Sequence, residues 1–206
     1  TYIGLVEAGV GLIPAGGGTK EMLLRAIDSA VALAPPDPRD PPSRFAQSAE
    51  LATALRRVFE PIAMAKVSTS AADARTLGLL SPADRITMNR ERLLLDAKAQ
   101  AQVLAQCGYM PPQPLNSIPA AGASALALRE TGVALMGEAG YGTEYDQRVA
   151  RWIAYVLAGG RVTAGTPVSE QYLLDLEREA FLSLCGERKT QERIAFTLKT
   201  GKPLRN

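Results

Sequence analysis

The chain has 206 residues and a mass of 21.9 kDa, enough for one or two domains with a sizeable core. At 47% hydrophobic and 21% charged residues its composition is ordinary for a globular protein, which excludes disorder and collagen-like repeats. With 23 basic against 21 acidic residues the net charge is +2, too balanced for a protein built around nucleic acid or an anionic membrane.

Thr1-Tyr2-Ile3-Gly4 reads as a strand tail or a loop, and it leads to Glu7 and a glycine-rich turn from Gly9 to Gly18. A helix is predicted over 19–34, with Thr19 as its N-cap and Leu23, Ile27 and Val31 on one face. Five prolines between Pro35 and Pro42 stop that helix and force an extended connection. The next amphipathic helix, 51–62, buries Leu51, Leu55, Val58 and Ile62. Ser70 to Asp73 reads as a capping box for a short helix that Gly78 ends, and Asp84 to Met88 as a short strand. Asn89 then caps a helix through Gln106, with Leu93, Ala97, Ala101 and Leu104 expected to face inward.

The stretch from Ala99 to Leu128 carries no charge. Pro111, Pro112, Pro114 and Pro119 rule it out as a spanning helix, so the protein is expected to be soluble. Tyr109 and Met110 lie in it, and the segment reads as either a buried connector or an exposed apolar interface. Helices are predicted over 121–138 and 143–158, the latter placing Val149, Trp152, Ile153 and Val156 together and ending at Gly159-Gly160. Val168-Ser169 introduces a helix over 170–184 with Leu173, Leu176, Ala180 and Leu184 on its apolar stripe. A last helix, 190–199, is expected to bury Ile194 and Leu198. The sum is a mainly α chain.

There is no histidine, which excludes Ser-His-Asp and Cys-His nucleophilic sites, histidine-ligated metals and histidine-based dehydrogenase chemistry within this chain. Cys107 and Cys185 form no CxxC pair and no ligand cluster, so they read as reduced cytosolic thiols and no metal is expected. The informative segment is the turn Glu7 to Thr19. Three glycines running into a helix suggest an anion site at its N-terminus. A phosphate-binding loop is excluded because Gly-Lys-Ser/Thr is absent, and a dinucleotide fingerprint because Gly9-Val10-Gly11 lacks its third glycine and Pro14 interrupts.

The spacing Glu7, Gly11, Pro14, Gly17, Gly18 resembles the second glutamate motif of the crotonase (enoyl-CoA hydratase/isomerase) superfamily, with Val6 where that family usually has proline. Ala65 to Leu80 resembles the family's short helix and following strand; Leu176 to Leu184 and Glu192 to Lys199 resemble its last two helices. Insertions interrupt the match near 33–50 and at 107–165. The resemblance therefore implies the helical C-terminal portion of a crotonase-like fold, with one or two short strands. Residues 1–106 would form the C-terminal half of the core, 107–165 a proline-rich connector and helical insertion, and 166–206 the closing helices. The insertions, with Tyr2 to Glu7 and Lys199 to Asn206, resemble the bacterial branch in which a 3-hydroxyacyl-CoA dehydrogenase is fused to a C-terminal enoyl-CoA hydratase module.

That resemblance implies an enzyme of fatty-acid β-oxidation acting on acyl-CoA thioesters, cytoplasmic and homo-oligomeric, of which this chain is a C-terminal piece. Nucleic acid and membrane insertion are not expected. NAD would belong to the parent's dehydrogenase part and no cofactor to this piece, while the first catalytic glutamate and the oxyanion amides would lie upstream. Glu7 would be the second catalytic carboxylate, the proton donor; a solvent-facing loop carboxylate is the plain alternative. Gly16 and Gly17, with Gly18, would shape the wall of the acyl pocket, and Phe181 and Lys199 would approach the CoA nucleotide, with Lys202 an alternative to Lys199. The basic tail reads equally as a solvated face. Two other functions stay open, a catalytically lapsed acyl-CoA-binding or assembly module and a helical scaffold. Inward faces such as Leu12, Ile13 and Leu24 are expected to lose partners in the isolated piece, which would then self-associate or expose apolar surface.

Overall fold

The computed structural model describes residues 2–33 and 48–206. In chain order the helices are α1 (Gly18–Leu33), α2 (Ser48–Ala63), α3 (Ala71–Thr76), α4 (Leu93–Gln106), α5 (Gly122–Glu138), α6 (Glu144–Leu157), α7 (Glu170–Cys185) and α8 (Arg188–Thr200). Two short strands, β1 (Ile118–Pro119) and β2 (Pro167–Val168), pair antiparallel with Ile118 opposite Val168. The proline run 35–42 lies outside the described residues, as does most of the expected insertion near 33–50 and the side chain of Val31.

Helix α6 sits in the middle of the packing, against α1, α2, α5 and α7. Its 3.6-residue spacing brings Tyr145, Val149, Ile153, Val156 and Leu157 into the core, each less than a twentieth exposed. Burying an aliphatic side chain of this size contributes about 1.5–3 kcal/mol, which is why one helix organises its neighbours. Thr143 and Asp146 start α6 with a reciprocal capping box, each side chain bonded to the other's backbone N–H. Ser169 caps α7 by accepting from Tyr172 N–H, and Ser70 caps α3 by accepting from Asp73 N–H. Leu51, Leu55, Val58 and Ile62 of α2, and Leu173, Leu176, Ala180 and Leu184 of α7, are all buried in the same cluster. The stretch 107–165 contributes α5 and α6, and β1 ties its beginning to β2 beside α7.

Several local expectations fail for physical reasons. Residues 84–88 form no strand: Asp84 instead accepts the N–H of Ser81 and closes a turn. Thr19 does not cap α1, because the helix already includes Gly18 and the Thr19 hydroxyl donates to the Pro14 carbonyl. Helix α4 forms where predicted, yet it has no buried residue, and Leu93 and Leu104 are exposed along with Ala97 and Ala101. Its apolar spacing reflects no buried face among the described residues. On α8 Leu198 is exposed, and the residues that are buried are Thr190 and Arg193. Ile13 is fully buried, and Leu12 and Leu24 pack against the core, so these side chains keep partners within the chain.

Candidate functional site

The chain enters along α2's C-terminal connection: Ser68 N–H donates to the Ile3 carbonyl at 2.8 Å and Gly4 bridges Val67. It then tightens into one turn of 3-10 helix, Glu7–Val10, closed by Gly11 in the left-handed region with φ at 82°. Backbone bonds hold the turn, Gly9 N–H to Val6 O at 2.9 Å, Gly11 N–H to Ala8 O at 3.1 Å and Leu12 N–H to Glu7 O at 3.0 Å. Oε2 of Glu7 is buried and accepts no hydrogen bond, the one such side-chain atom among the described residues. Buried polar atoms without partners are rare, and a reactive carboxylate is one of the few reasons to keep one.

Behind this turn lies a polar cluster from α6 and α8. The Thr190 hydroxyl donates to the Gly11 carbonyl at 2.7 Å, and its oxygen lies 2.6 Å from the Tyr145 hydroxyl. Since a carbonyl only accepts, Thr190 spends its proton on Gly11 and Tyr145 must donate to Thr190. Arg193, fully buried, donates to Asp146 Oδ1 at 2.6 Å, to Thr143 Oγ1 at 3.2 Å and to Asn206 Oδ1 at 2.8 Å, and its guanidinium lies 5.0 Å from the Tyr145 ring centroid. Arg205 adds a second charge at 3.0 Å from Asp146. Burial pushes the Asp146 carboxyl up, but the bond from Arg193, the Thr143 N–H and the two arginine charges together hold it below its ordinary range.

Gly16, Gly17 and Phe181 do come together. With Ala15, Leu174 and Arg178 they line an open groove of about 410 Å³ between the turn preceding α1 and the outer face of α7. Glu7 and Lys199 do not line this groove. Lys199 is exposed in the last turn of α8, and Lys202 is exposed just beyond it.

The start of α1 is occupied from within. Glu177, fully buried on α7, accepts Gly17 N–H at 2.9 Å through Oε2 and Lys20 N–H at 2.6 Å through Oε1. These are the donors that an anion would use at a helix N-terminus. Burial raises the Glu177 carboxyl above its ordinary range, against the lowering effect of the Lys20 and Gly17 N–H groups and the Lys20 charge. The Lys20 ammonium itself is bonded to Glu21 at 2.5 Å and Glu170 at 2.8 Å. The anion site suggested by the three glycines is therefore filled by a protein carboxylate. A dinucleotide does not fit there either, because its pyrophosphate would need the same N–H groups and no strand leads into this turn.

Sequence reasoning missed Glu177, Thr190 and Arg193. Glu177 was legible in principle, since it stands four residues from Leu173 and three from Ala180, on the apolar stripe itself. Thr190 and Arg193 had no such signal, because their face of α8 is polar and apolar periodicity cannot find it. Among the described residues no group of metal-ligating side chains is assembled, and no helix is long and apolar enough to cross a membrane. Cys107, exposed, and Cys185, half-buried, are free thiols.

Among curated proteins the chain is similar to a "Probable 3-hydroxyacyl-CoA dehydrogenase" of Bacillus subtilis (strain 168), at 43% identity over 205 residues. The alignment covers all of this chain but only 24% of that relative, so the chain spans about a quarter of the relative's length. No family model matches the chain. No solved structure matches it.

Proposed function

We propose that the chain is the crotonase-like part of a larger β-oxidation enzyme, a 3-hydroxyacyl-CoA dehydrogenase joined to an enoyl-CoA hydratase module, and that Glu7 serves the hydration step. The observation that supports a dehydrogenase-related parent is the 43% identity over the whole chain with a protein named as a probable 3-hydroxyacyl-CoA dehydrogenase and about four times longer. The crotonase-like part of the reading rests on the spacing Glu7, Gly11, Pro14, Gly17, Gly18. The unpartnered Glu7 Oε2 supports the hydratase role, since a proton-transferring carboxylate must not be committed to an internal donor. Residues 1–106 and 166–206 would supply the crotonase-like portion, with 107–165 an addition to it. NAD would be held by the parent's other segments, as Glu177 already accepts the Gly17 and Lys20 N–H groups at the start of α1.

In hydration a water oxygen bonds the β-carbon of the enoyl thioester while the α-carbon takes a proton, and the π bond is lost. Glu7 would give that proton to the α-carbon, and a second carboxylate from the parent would remove one from the water. The two carboxylates divide the work, one giving a proton to carbon and the other taking one from water. Phe181 and the Gly16-Gly17 turn would border bound acyl-CoA at the groove, with Lys199 reaching a phosphate from outside it.

The test is Glu7→Gln in the complete enzyme, assayed separately for hydration and for 3-hydroxyacyl-CoA oxidation. Hydration is expected to fall by roughly a hundred- to ten-thousand-fold, the usual loss for one positioned acid, with oxidation nearly unchanged. Unchanged hydration would overturn the assignment of Glu7, and a complete wild-type enzyme that does not hydrate would leave an acyl-CoA-binding or assembly module as the better reading.

A further inference from the structure

We infer that Thr190 is a positioning residue for Glu7: its hydroxyl fixes the Gly11 carbonyl and so sets where the Glu7 carboxylate stands. The inference rests on the assignment of Glu7 to hydration proposed above. Glu7 Oε2 has no hydrogen bond of its own, so nothing bonded to that oxygen locates it. The backbone of the turn, with the packing around the side chain, sets its place. That turn is one revolution of 3-10 helix, and a 3-10 turn alone is a weak support. A side-chain restraint reaches it from outside, the 2.7 Å bond from Thr190 to Gly11 O.

The support is built like a socket. A Cβ on Gly11 would stand 2.8 Å from Thr190 Oγ1, 3.1 Å from the Tyr145 ring and 3.3 Å from Arg193 Cδ. Three side chains from two helices thus close on the residue that ends the Glu7 turn, and each is at least nine-tenths buried. The hydroxyl chain runs one way only, from Tyr145 to Thr190 to Gly11, so Thr190 cannot rotate its proton elsewhere without stranding two buried groups. None of this is needed to hold α8 by apolar contact. The polar face of α8 instead delivers one hydrogen bond to the turn that carries the carboxylate.

Thr190→Val keeps the shape and removes the hydrogen bond; Thr190→Ser keeps the bond. In the complete enzyme, Thr190→Val should lower kcat for hydration roughly ten- to a hundredfold, since a displacement of about 1 Å in a reacting group costs up to about that much. KM should stay within about twofold, because substrate binding does not involve this bond. Thr190→Ser should recover most of the rate. Oxidation of 3-hydroxyacyl-CoA and the thermal unfolding midpoint, measured on the same samples, report whether the variants fold. A normal hydration kcat in Thr190→Val overturns the inference, and so does an equal fall in both activities that Thr190→Ser fails to reverse. If Thr190→Val does not fold, Thr190→Ala carries the test: a lower hydration kcat that Thr190→Ser does not share supports the positioning role, and an unchanged kcat overturns it. Glu7→Gln separates the two ideas. Loss of hydration in Glu7→Gln with none in Thr190→Val overturns only the positioning role, whereas hydration intact in Glu7→Gln overturns both.

Discussion

Glu177 accepts the backbone N–H of Lys20 at 2.6 Å, joining two residues 157 positions apart. Together with the bond to Gly17 it gives α1 an N-terminal cap supplied by another helix, α7. Local capping residues are the rule because they are always at hand. Here Pro14 and three glycines leave no local side chain placed to accept, and the Thr19 hydroxyl turns back to the Pro14 carbonyl. The cap therefore forms only when α7 docks, and it couples the first helix to the seventh.

Glu177→Gln should destabilise the protein by about 1–3 kcal/mol, the cost of one buried donor left without its acceptor. Both carboxylate oxygens accept a backbone N–H, so an amide must turn its NH2 toward one of them. Burial has already raised this carboxyl, which weakens the fold's preference for the charged form and keeps the loss within that range. Urea unfolding at neutral pH checks it, and a variant as stable as the wild type would show that the cap contributes nothing.

Asp146 gives stability an acid limb. Its folded pKa lies below the ordinary 3.8, because the bond from Arg193, the Thr143 N–H and the Arg193 and Arg205 charges outweigh the opposing effect of burial. Folding therefore favours the ionised form, a contribution present above about pH 4 and lost as the pH falls below it. Asp146→Asn should flatten the unfolding midpoint against pH in that window. It should also cost about 3 kcal/mol at neutral pH, the low end for breaking a buried ion pair, because Arg193 stays buried with a charge that Asn206 and Thr143 only partly satisfy. Thermal melts between pH 2.5 and 7 read both effects. An Asp146→Asn curve parallel to the wild type's would remove Asp146 as the source.

Apolar periodicity located α2, α6 and α7 to within a few residues and named their buried positions, since in each the apolar stripe is the packed face. The same reasoning failed on α4 and α8 in opposite ways. Leu93 and Leu104 have the spacing of a buried face but are exposed. Thr190 and Arg193 are buried through hydrogen bonds, which leave no trace in hydropathy. The family resemblance singled out Glu7, Gly16, Gly17 and Phe181, of which the last three line one groove. It could not show Glu177 blocking the helix N-terminus, because that depends on how α7 lies across α1.

The surface of α4 and its flanks is unusually apolar for exposed residues: Leu94 is 82%, Met88 91% and Met110 76% exposed. With no buried residue on α4, Leu94→Glu should change stability by less than about 0.5 kcal/mol, the range of ordinary surface substitutions. Leu55→Ala on α2, whose side chain is fully buried, should cost about 2–5 kcal/mol. The wild-type chain should bind a hydrophobic dye such as ANS, and Leu94→Glu combined with Met88→Gln should reduce the signal at unchanged stability. A large loss of stability in Leu94→Glu would mean that α4 is packed after all.

The 206-residue chain alone should neither hydrate enoyl-CoA nor oxidise 3-hydroxyacyl-CoA. Hydration needs a second carboxylate to take the proton from water and donors for the developing enolate oxygen. In the proposed enzyme both come from outside these residues. Losing one such donor costs roughly a hundred- to a thousandfold, and losing the whole set with a catalytic carboxylate leaves nothing measurable. Oxidation needs a bound nicotinamide and a base for the hydroxyl proton; at the start of α1 the Gly17 and Lys20 N–H groups are taken by Glu177, and the sequence has no histidine. The chain and the complete enzyme should be assayed side by side for both steps, following the enoyl absorbance for hydration and NADH for oxidation. Hydration by the chain alone would place the partner carboxylate and the oxyanion donors among these 206 residues. The two-segment account of the site would then have to be abandoned.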